Sequence, residues 1–278
     1  MTSLQKAVAA SERSLFPVQG SDKALWTRVL VGKRPDEGLE VLQATGLLGE
    51  TFPELQSMVG FGGHGQGHKD LWDHVKKVVL QSKALVPIRW AALFHDVGKV
   101  STFSRESGKV TFHQHEFVSA SLFRKAMVRT NVLDDPERSE AHFLVRNLGL
   151  VEAYDSSWTD SAVRRLHKEL GEHFDRVLLL ARADVTSKHA HKREQNHRRL
   201  HELSERAKAI AAQDAVVPPL PKGLGNVVMA SFGLTPSKRL GDLLKALEAA
   251  VEAGRVPAHR DADCYVAFLS EHREEFGL

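Results

Sequence analysis

One cysteine in 278 residues, Cys264, leaves no partner for an internal disulfide and nothing for a cysteine metal cluster. The longest apolar runs, such as Val177-Leu178-Leu179-Leu180-Ala181, fall far short of a bilayer span and are flanked by charges. Met1-Thr2-Ser3-Leu4-Gln5-Lys6 is followed by no apolar core, so no signal peptide is expected. These absences fit a reducing cytoplasm and exclude a membrane-spanning chain. A net charge of +3 is too small to argue for nucleic-acid binding by itself. Internal repeats and sustained low complexity are absent. The glycine-rich stretch Gly60-Phe61-Gly62-Gly63-His64-Gly65-Gln66-Gly67 lacks the Gly-Lys-Ser/Thr ending of a phosphate-binding loop and reads as a connector or flexible rim beside His68 and His74.

What is present is ordinary except in one respect. Hydrophobic residues at 42% and charged residues at 26% suit a globular chain with a substantial core. Fifteen histidines are more than such a chain usually carries, which makes metal or proton chemistry worth testing. The periodicity is mostly helical. Leu39, Val41, Leu42 and Leu47-Leu48 mark one apolar face, and Leu71, Val75, Val78, Val79 and Leu85 another. Pro87 starts a helix that runs through Ile88, Ala91, Ala92 and Phe94 to His95-Asp96. Residues 101–112 read as a small hairpin around Gly108. Further helices are expected over 115–129, 136–149, 160–171, 173–188 and 190–212. Val216 to Pro221 reads as a linker, and 223–233, 237–254 and 260–275 as a terminal helical cluster.

The pair His95-Asp96, ending an apolar run, is the strongest chemical signal. A buried carboxylate costs several kcal/mol, at about that order, unless something pairs with it, and a divalent cation is a strong partner. His74 lies one helix earlier, close enough in sequence for an antiparallel helix pair to bring it to His95. Asp184 ends the apolar stretch Leu178-Leu179-Leu180-Ala181-Arg182-Ala183. Together His74, His95, Asp96 and Asp184 can hold one divalent ion from three helices. Nitrogen and oxygen donors suit Mn, Fe, Co, Ni, Zn or Mg, and imidazole favours a transition metal. Such a cation acidifies water and polarises a phosphoryl oxygen. Lys99 stands where positive charge could meet phosphate oxygens. The competing readings are a dipole-favoured histidine at a helix end for His95, a core histidine for His74, ion pairs with Arg182 or Lys188 for Asp184, and a solvated helix-end lysine for Lys99.

Several ordered motifs resemble a known family. His74, His95-Asp96 with Gly98-Lys99, and Asp184 are similar to the signature of HD-domain metal-dependent phosphohydrolases. His68-Lys69-Asp70-Leu71-Trp72-Asp73-His74, Ala91 through Lys99, Thr111-Phe112-His113-Gln114-His115-Glu116, Asp160 through Leu166 and Ala181 through Lys188 resemble the HD region of bacterial CCA-adding tRNA nucleotidyltransferases. Glu40 through Leu48 and Phe232-Gly233-Leu234-Thr235-Pro236 continue the likeness. The resemblance implies an all-α fold, an HD-domain helical bundle with a C-terminal helical extension. It divides the chain into an N-terminal helical segment 1–34, an HD domain 35–212 and a C-terminal helical subdomain 213–278.

Two departures qualify the resemblance. The nucleotide-transferring head is not recognisable; Asp261-Ala262-Asp263 has the carboxylate spacing but lies on an expected helix without the preceding turn, so this chain is not expected to add CCA. Leu148 stands where related enzymes often have histidine after Asn147, which weakens a two-metal site and leaves His115 and His142 as possible extra ligands. The expectation is a phosphohydrolase acting on nucleotides or RNA ends, of 2′,3′-cyclic phosphodiesterase, 2′-nucleotidase or phosphatase type, with tRNA one candidate. Asp96 and Lys99 are its catalytic candidates, and His115, Arg146, Arg165 and Lys188 its substrate-binding candidates; exposed or salt-bridged side chains are the plain alternative for the last four. The basic stretch Lys188 to His201 could guide an RNA end or simply be a solvated face, with few aromatics to stack bases. The alternatives are a non-catalytic tRNA- or RNA-binding module derived from a nucleotidyltransferase tail, and a free-deoxynucleotide phosphohydrolase. Oligomeric state stays open.

Overall fold

In a computed structural model, residues 22–62, 70–106, 109–215 and 218–278 are described. Most of the expected N-terminal segment and most of the glycine-rich loop lie outside them. The architecture is all-α apart from one hairpin, and the chain divides into two compact units, the first ending at Ile210 and the second beginning at Ala211. Among the described residues no helix is long and apolar enough to cross a membrane.

The first unit is organised around α6 (Val86–Phe94), every residue of which from Pro87 to Phe94 is buried. It opens with proline, whose fixed φ suits a first turn. Around it pack α1 (Lys23–Val31), α5 (Leu71–Gln81), α9 (Asp135–Glu152) and α11 (Phe174–Asp184). An aromatic chain ties the layers: Trp26 meets Phe52 edge-on at 4.7 Å, Phe52 meets Phe94 at 5.6 Å, and Phe94 meets Phe123 at 5.3 Å. Edge-to-face pairs of this kind add to the burial energy. Arg89 is buried within α6, and among the described residues no carboxylate pairs with it. Its guanidinium donates instead to the carbonyls of Ser82 and Leu30, satisfying the ends of α5 and α1.

Several boundaries differ from the periodicity. The segment expected around 39–48 is two helices, α2 (Pro35–Ala44) and α3 (Leu47–Thr51), because Gly46 takes φ +81° between them. A short α4 (Pro53–Gln56) follows. Helix α5 stops at Gln81, four residues before Leu85, and the helix expected to reach 188 stops at Asp184. After α7 (Lys99–Thr102) the hairpin forms as expected, β1 (Phe103–Glu106) pairing antiparallel with β2 (Lys109–Phe112) and Phe103 opposite Phe112. Then come α8 (His115–Thr130), α10 (Asp160–Leu170) with a 3₁₀ turn at Gly171–His173, and α12 (Ala190–Ala215).

The second unit contains α13 (Leu224–Phe232), α14 (Lys238–Glu252) and α15 (Ala262–Glu271) around a small apolar core that includes Val228, Leu247, Tyr265 and Leu269. Asp261 caps α15, its carboxylate accepting from the Cys264 amide at 3.1 Å. That accounts for the Asp261-Ala262-Asp263 spacing structurally.

Candidate metal centre

Three helix ends converge. The first turn of α5 carries His74, α6 ends directly before His95-Asp96, and α11 ends on Asp184. His74 Nε2 lies 3.0 Å from Asp184 Oδ1 and 3.3 Å from Asp96 Oδ2; His95 Nε2 lies 3.3 Å and 3.4 Å from the same two oxygens. The ligand atoms of His74, His95 and Asp184 all fall within 4.8 Å of one another. Two donors each about 2.1 Å from one cation stand about 3.0 Å apart at a right angle and about 3.4 Å apart at the tetrahedral angle. All four observed separations span that interval.

The far nitrogens are anchored in the way metal-binding histidines require. His95 Nδ1 sits 2.8 Å from the Ala92 carbonyl and His74 Nδ1 3.0 Å from Thr186 Oγ1. An Nδ1–H donated to Ala92 leaves the His95 Nε2 lone pair facing the carboxylates. His95 Nε2 and Asp184 Oδ1 are both buried without an aligned hydrogen bond, although 3.3 Å apart. A lone pair against a carboxylate oxygen is repulsive unless a proton or a cation lies between them, so the donor set fits a divalent ion.

The charges agree. Burial opposes protonation of His95, yet Asp96 and Asp184 outweigh it and raise its pKa well above the ordinary value. His74 is raised in the same manner, burial being overcome by Asp184 and Asp96. Burial works against the charge on Asp96, but His95 and Lys99 hold it well below the usual carboxylate range. Asp184, half-buried, is likewise held far down by His74 and His95 against the cost of its desolvation. Glu152, at the end of α9, behaves oppositely: burial and the neighbouring Asp184 push its carboxyl well above the usual range. The sequence pattern did not single out Glu152 or the role of Thr186, since neither has a helical spacing that links it to the ligands.

Lys99 donates to Asp96 Oδ2 at 2.7 Å and lies over the Phe112 ring. Its ammonium is therefore engaged by the Asp96 carboxylate rather than standing alone. His115 reaches the same group, Nε2 3.5 Å from Asp96 Oδ1, with Nδ1 3.0 Å from the Phe112 carbonyl. Gly98 makes this approach possible. A Cβ there would lie 2.3 Å from the His115 carbonyl oxygen and 2.8 Å from the Ser119 amide, while the Gly98 amide donates to Ser119 Oγ at 2.9 Å. Lys188 shares a depression with His74 and Thr186. Arg146 instead stacks on Phe117, 3.2 Å from its ring centre, and Arg165 is exposed on α10; among the described residues no hydrogen bond or ion pair links either to His74, His95, Asp96 or Asp184. His142 lies against Phe123, with Arg124 and Arg146 as its charged neighbours, and is not brought to the ligand group.

Comparison with known proteins agrees with this geometry. Residues 71–217 match the HD domain family. The chain is 31% identical over 249 residues to the A-adding tRNA nucleotidyltransferase of Deinococcus radiodurans, covering 86% of this chain and 56% of that protein. It is 29% identical over 268 residues to the CC-adding tRNA nucleotidyltransferase of Thermus thermophilus, covering 93% and 58%. A shorter match, 34% over 110 residues, joins it to the multifunctional CCA protein of an Azoarcus species, covering 37% and 26%. The chain thus spans little more than half the length of the first two relatives.

Proposed function

Because the chain belongs to the HD domain family, we propose that it is a metal-dependent phosphohydrolase acting on phosphoesters of nucleotides or RNA ends, of 2′,3′-cyclic phosphodiesterase or 2′-nucleotidase type. The single observation that carries this reading is the convergence of His74, His95, Asp96 and Asp184, with imidazole-to-carboxylate distances of 3.0–3.4 Å. These four residues would hold the ion, and two imidazoles favour a transition metal over magnesium. When bound, a divalent cation supplies Lewis acidity for water and for a phosphoryl oxygen. The names of the relatives concern tRNA, which supports a ribonucleotide substrate.

The protein's own groups do the rest. Lys99 and its pairing with Asp96 orient that carboxylate and leave ammonium hydrogens to face a phosphate. Asp96, held ionised, is a better ligand and orienter than proton acceptor, so proton handling falls to His115, anchored through Nδ1 with Nε2 turned to the centre. In the reaction water adds to phosphorus, one ribose P–O bond breaks, and the departing oxygen takes up a proton.

The test is hydrolysis of 2′,3′-cyclic mononucleotides by the protein reconstituted with Mn, Ni, Co or Mg, beside Asp96→Ala and metal-stripped protein. Activity that needs both Asp96 and metal is expected. Full activity in either control would sink the reading.

A further inference from the structure

Two open depressions border the ligand group. One, of about 230 Å³, is lined by Glu152, Asp184, Thr186, Ser187, Asn196 and Arg199 among others. The other, of about 280 Å³, is lined by Asp70, Asp73, His74, Lys77, Thr186 and Lys188. Thr186, hydrogen-bonded to His74, belongs to both, so they flank one centre. Each is smaller than a typical small-molecule pocket of roughly 300–1,000 Å³, room for one nucleotide unit. The second balances Lys77 and Lys188 against Asp70 and Asp73, which suits a ribose or base better than a phosphate.

Helix α12 leads away from this edge, and its charge is lopsided. From Lys188 to His201 there are five Lys/Arg residues (Lys188, Lys192, Arg193, Arg198, Arg199) against one acid, Glu194; from Glu202 to Ala215 there are two against three. Within α12, Lys192, Gln195 and Arg199 follow the spacing of one helical stripe; Lys188 lies just before the helix, and Lys188 and Arg199 each line one of the depressions. Arg193 and Arg199 are held in place by backbone carbonyls, Arg193 by Ser187 and Lys188, Arg199 by Glu152 and Tyr154. Lys188, Lys192 and Arg198 are exposed. Among the described residues no ion pair engages the ammonium of Lys188 or Lys192, and Arg198 meets only Glu194 on its own helix. No Phe, Trp or Tyr occurs between 188 and 201, so positive charge, more than large stacking rings, is what this stretch offers a nucleic acid.

We infer that the first half of α12 is a track for the phosphates of a single RNA strand whose 3′ end occupies the two depressions, which makes the centre a processor of polynucleotide ends in preference to free nucleotides. This rests on the phosphohydrolase reading for the chemistry at the end, but the track itself binds without catalysis.

The experiment therefore has a binding arm and a turnover arm. Metal-depleted full-length protein is titrated into a fluorescent eight-nucleotide RNA over a series of salt concentrations, as wild type and as Lys192→Glu/Arg198→Glu. Each lost phosphate contact shallows the logarithmic salt dependence by about 0.7 for a single strand, so the double variant is expected to lose about 1.4 from the slope and at least about tenfold in affinity at low salt. In turnover, the ratio of kcat/KM for an RNA ending in a 2′,3′-cyclic phosphate to that for the cyclic mononucleotide is expected to exceed one and to fall in the variant. Equal RNA affinity and slope in both proteins, or tighter binding to phosphatidylserine vesicles than to RNA, overturns the track. Absence of turnover on both substrates with the binding difference intact overturns the phosphohydrolase reading and leaves the track standing.

Discussion

The two compact units treat charge in opposite ways. The first buries Lys76, Arg89, His95 and Asp96 inside or beside its apolar core, whereas among the described residues the buried positions of the second are apolar apart from Tyr265, whose hydroxyl lies within hydrogen-bond reach of the Pro219 and Pro257 carbonyls. A fold that only needs to close a core has no reason to bury ions, because each costs several kcal/mol, at roughly that order, unless paired. For His95 and Asp96 the first unit bears that cost at the C-terminal end of α6, where the charges are arranged as donors around a common point.

The comparison can be broken most severely at that point. His95→Ala or Asp96→Ala is expected to abolish metal retention, seen by elemental analysis of purified protein, and to lower phosphodiesterase turnover by about a thousandfold or more, on the order of other losses of an essential electrostatic group. Retained metal in either variant would show that the donors do not act together.

Next is the response to pH. His74 and His95 have raised pKa values in the metal-free fold. Their contribution to stability is fully present below the unfolded value of about 6.5 and is lost as pH rises through the raised values. Asp96 and Asp184 are depressed, so theirs is present above the unfolded value of about 3.9 and is lost as pH falls through the depressed values. Metal must displace the imidazole protons, so its affinity rises with pH over the range in which stripped protein loses stability. Melting temperatures of stripped and loaded protein across this range should diverge as pH increases; parallel curves would remove the histidines from the metal site.

Gly98→Ala is expected to cost about 1–3 kcal/mol as an overpacking substitution, because its Cβ would meet two backbone atoms of α8 as well as the Ser119 hydroxyl. Chemical denaturation measures the loss, and an unchanged midpoint would mean that α8 can retreat freely. Arg89→Met should leave the carbonyls of Ser82 and Leu30 without their donor, at about 1–3 kcal/mol for each buried orphan. The matching probe in the second unit, Arg255→Met, removes an exposed pair with Glu275 and should leave the melting temperature unchanged within error. A larger effect at Arg255 than at Arg89 would invert the contrast between the units.

Much of this was legible in residue order. The apolar run Ala91 to Phe94 ending on His95-Asp96 announced a site, and the neighbouring helices supplied His74 and Asp184. Lys99 was legible as a nearby charge but not as a partner of Asp96, because an i,i+3 pair depends on which way α7 turns after Gly98. Glu152 was invisible: in Leu150-Val151-Glu152 it looks like an ordinary helix-end carboxylate, and only packing of α9 against α11 brings it to Asp184. Arg146 and Arg165 look alike in sequence, yet one stacks on Phe117 and the other is exposed.

By itself the residue order determined the helical class, the hairpin and which side chains carry metal-donor chemistry, since hydrophobic period, glycine and donor chemistry are local properties. Only the tertiary structure decided that the imidazoles of His74 and His95 lie 3.0–3.4 Å from the carboxylates of Asp96 and Asp184, that Gly98 admits His115 to the same place, and that Glu152 comes beside Asp184. Distances between helix ends depend on how three helices pack against α6, and no spacing along the chain encodes that packing.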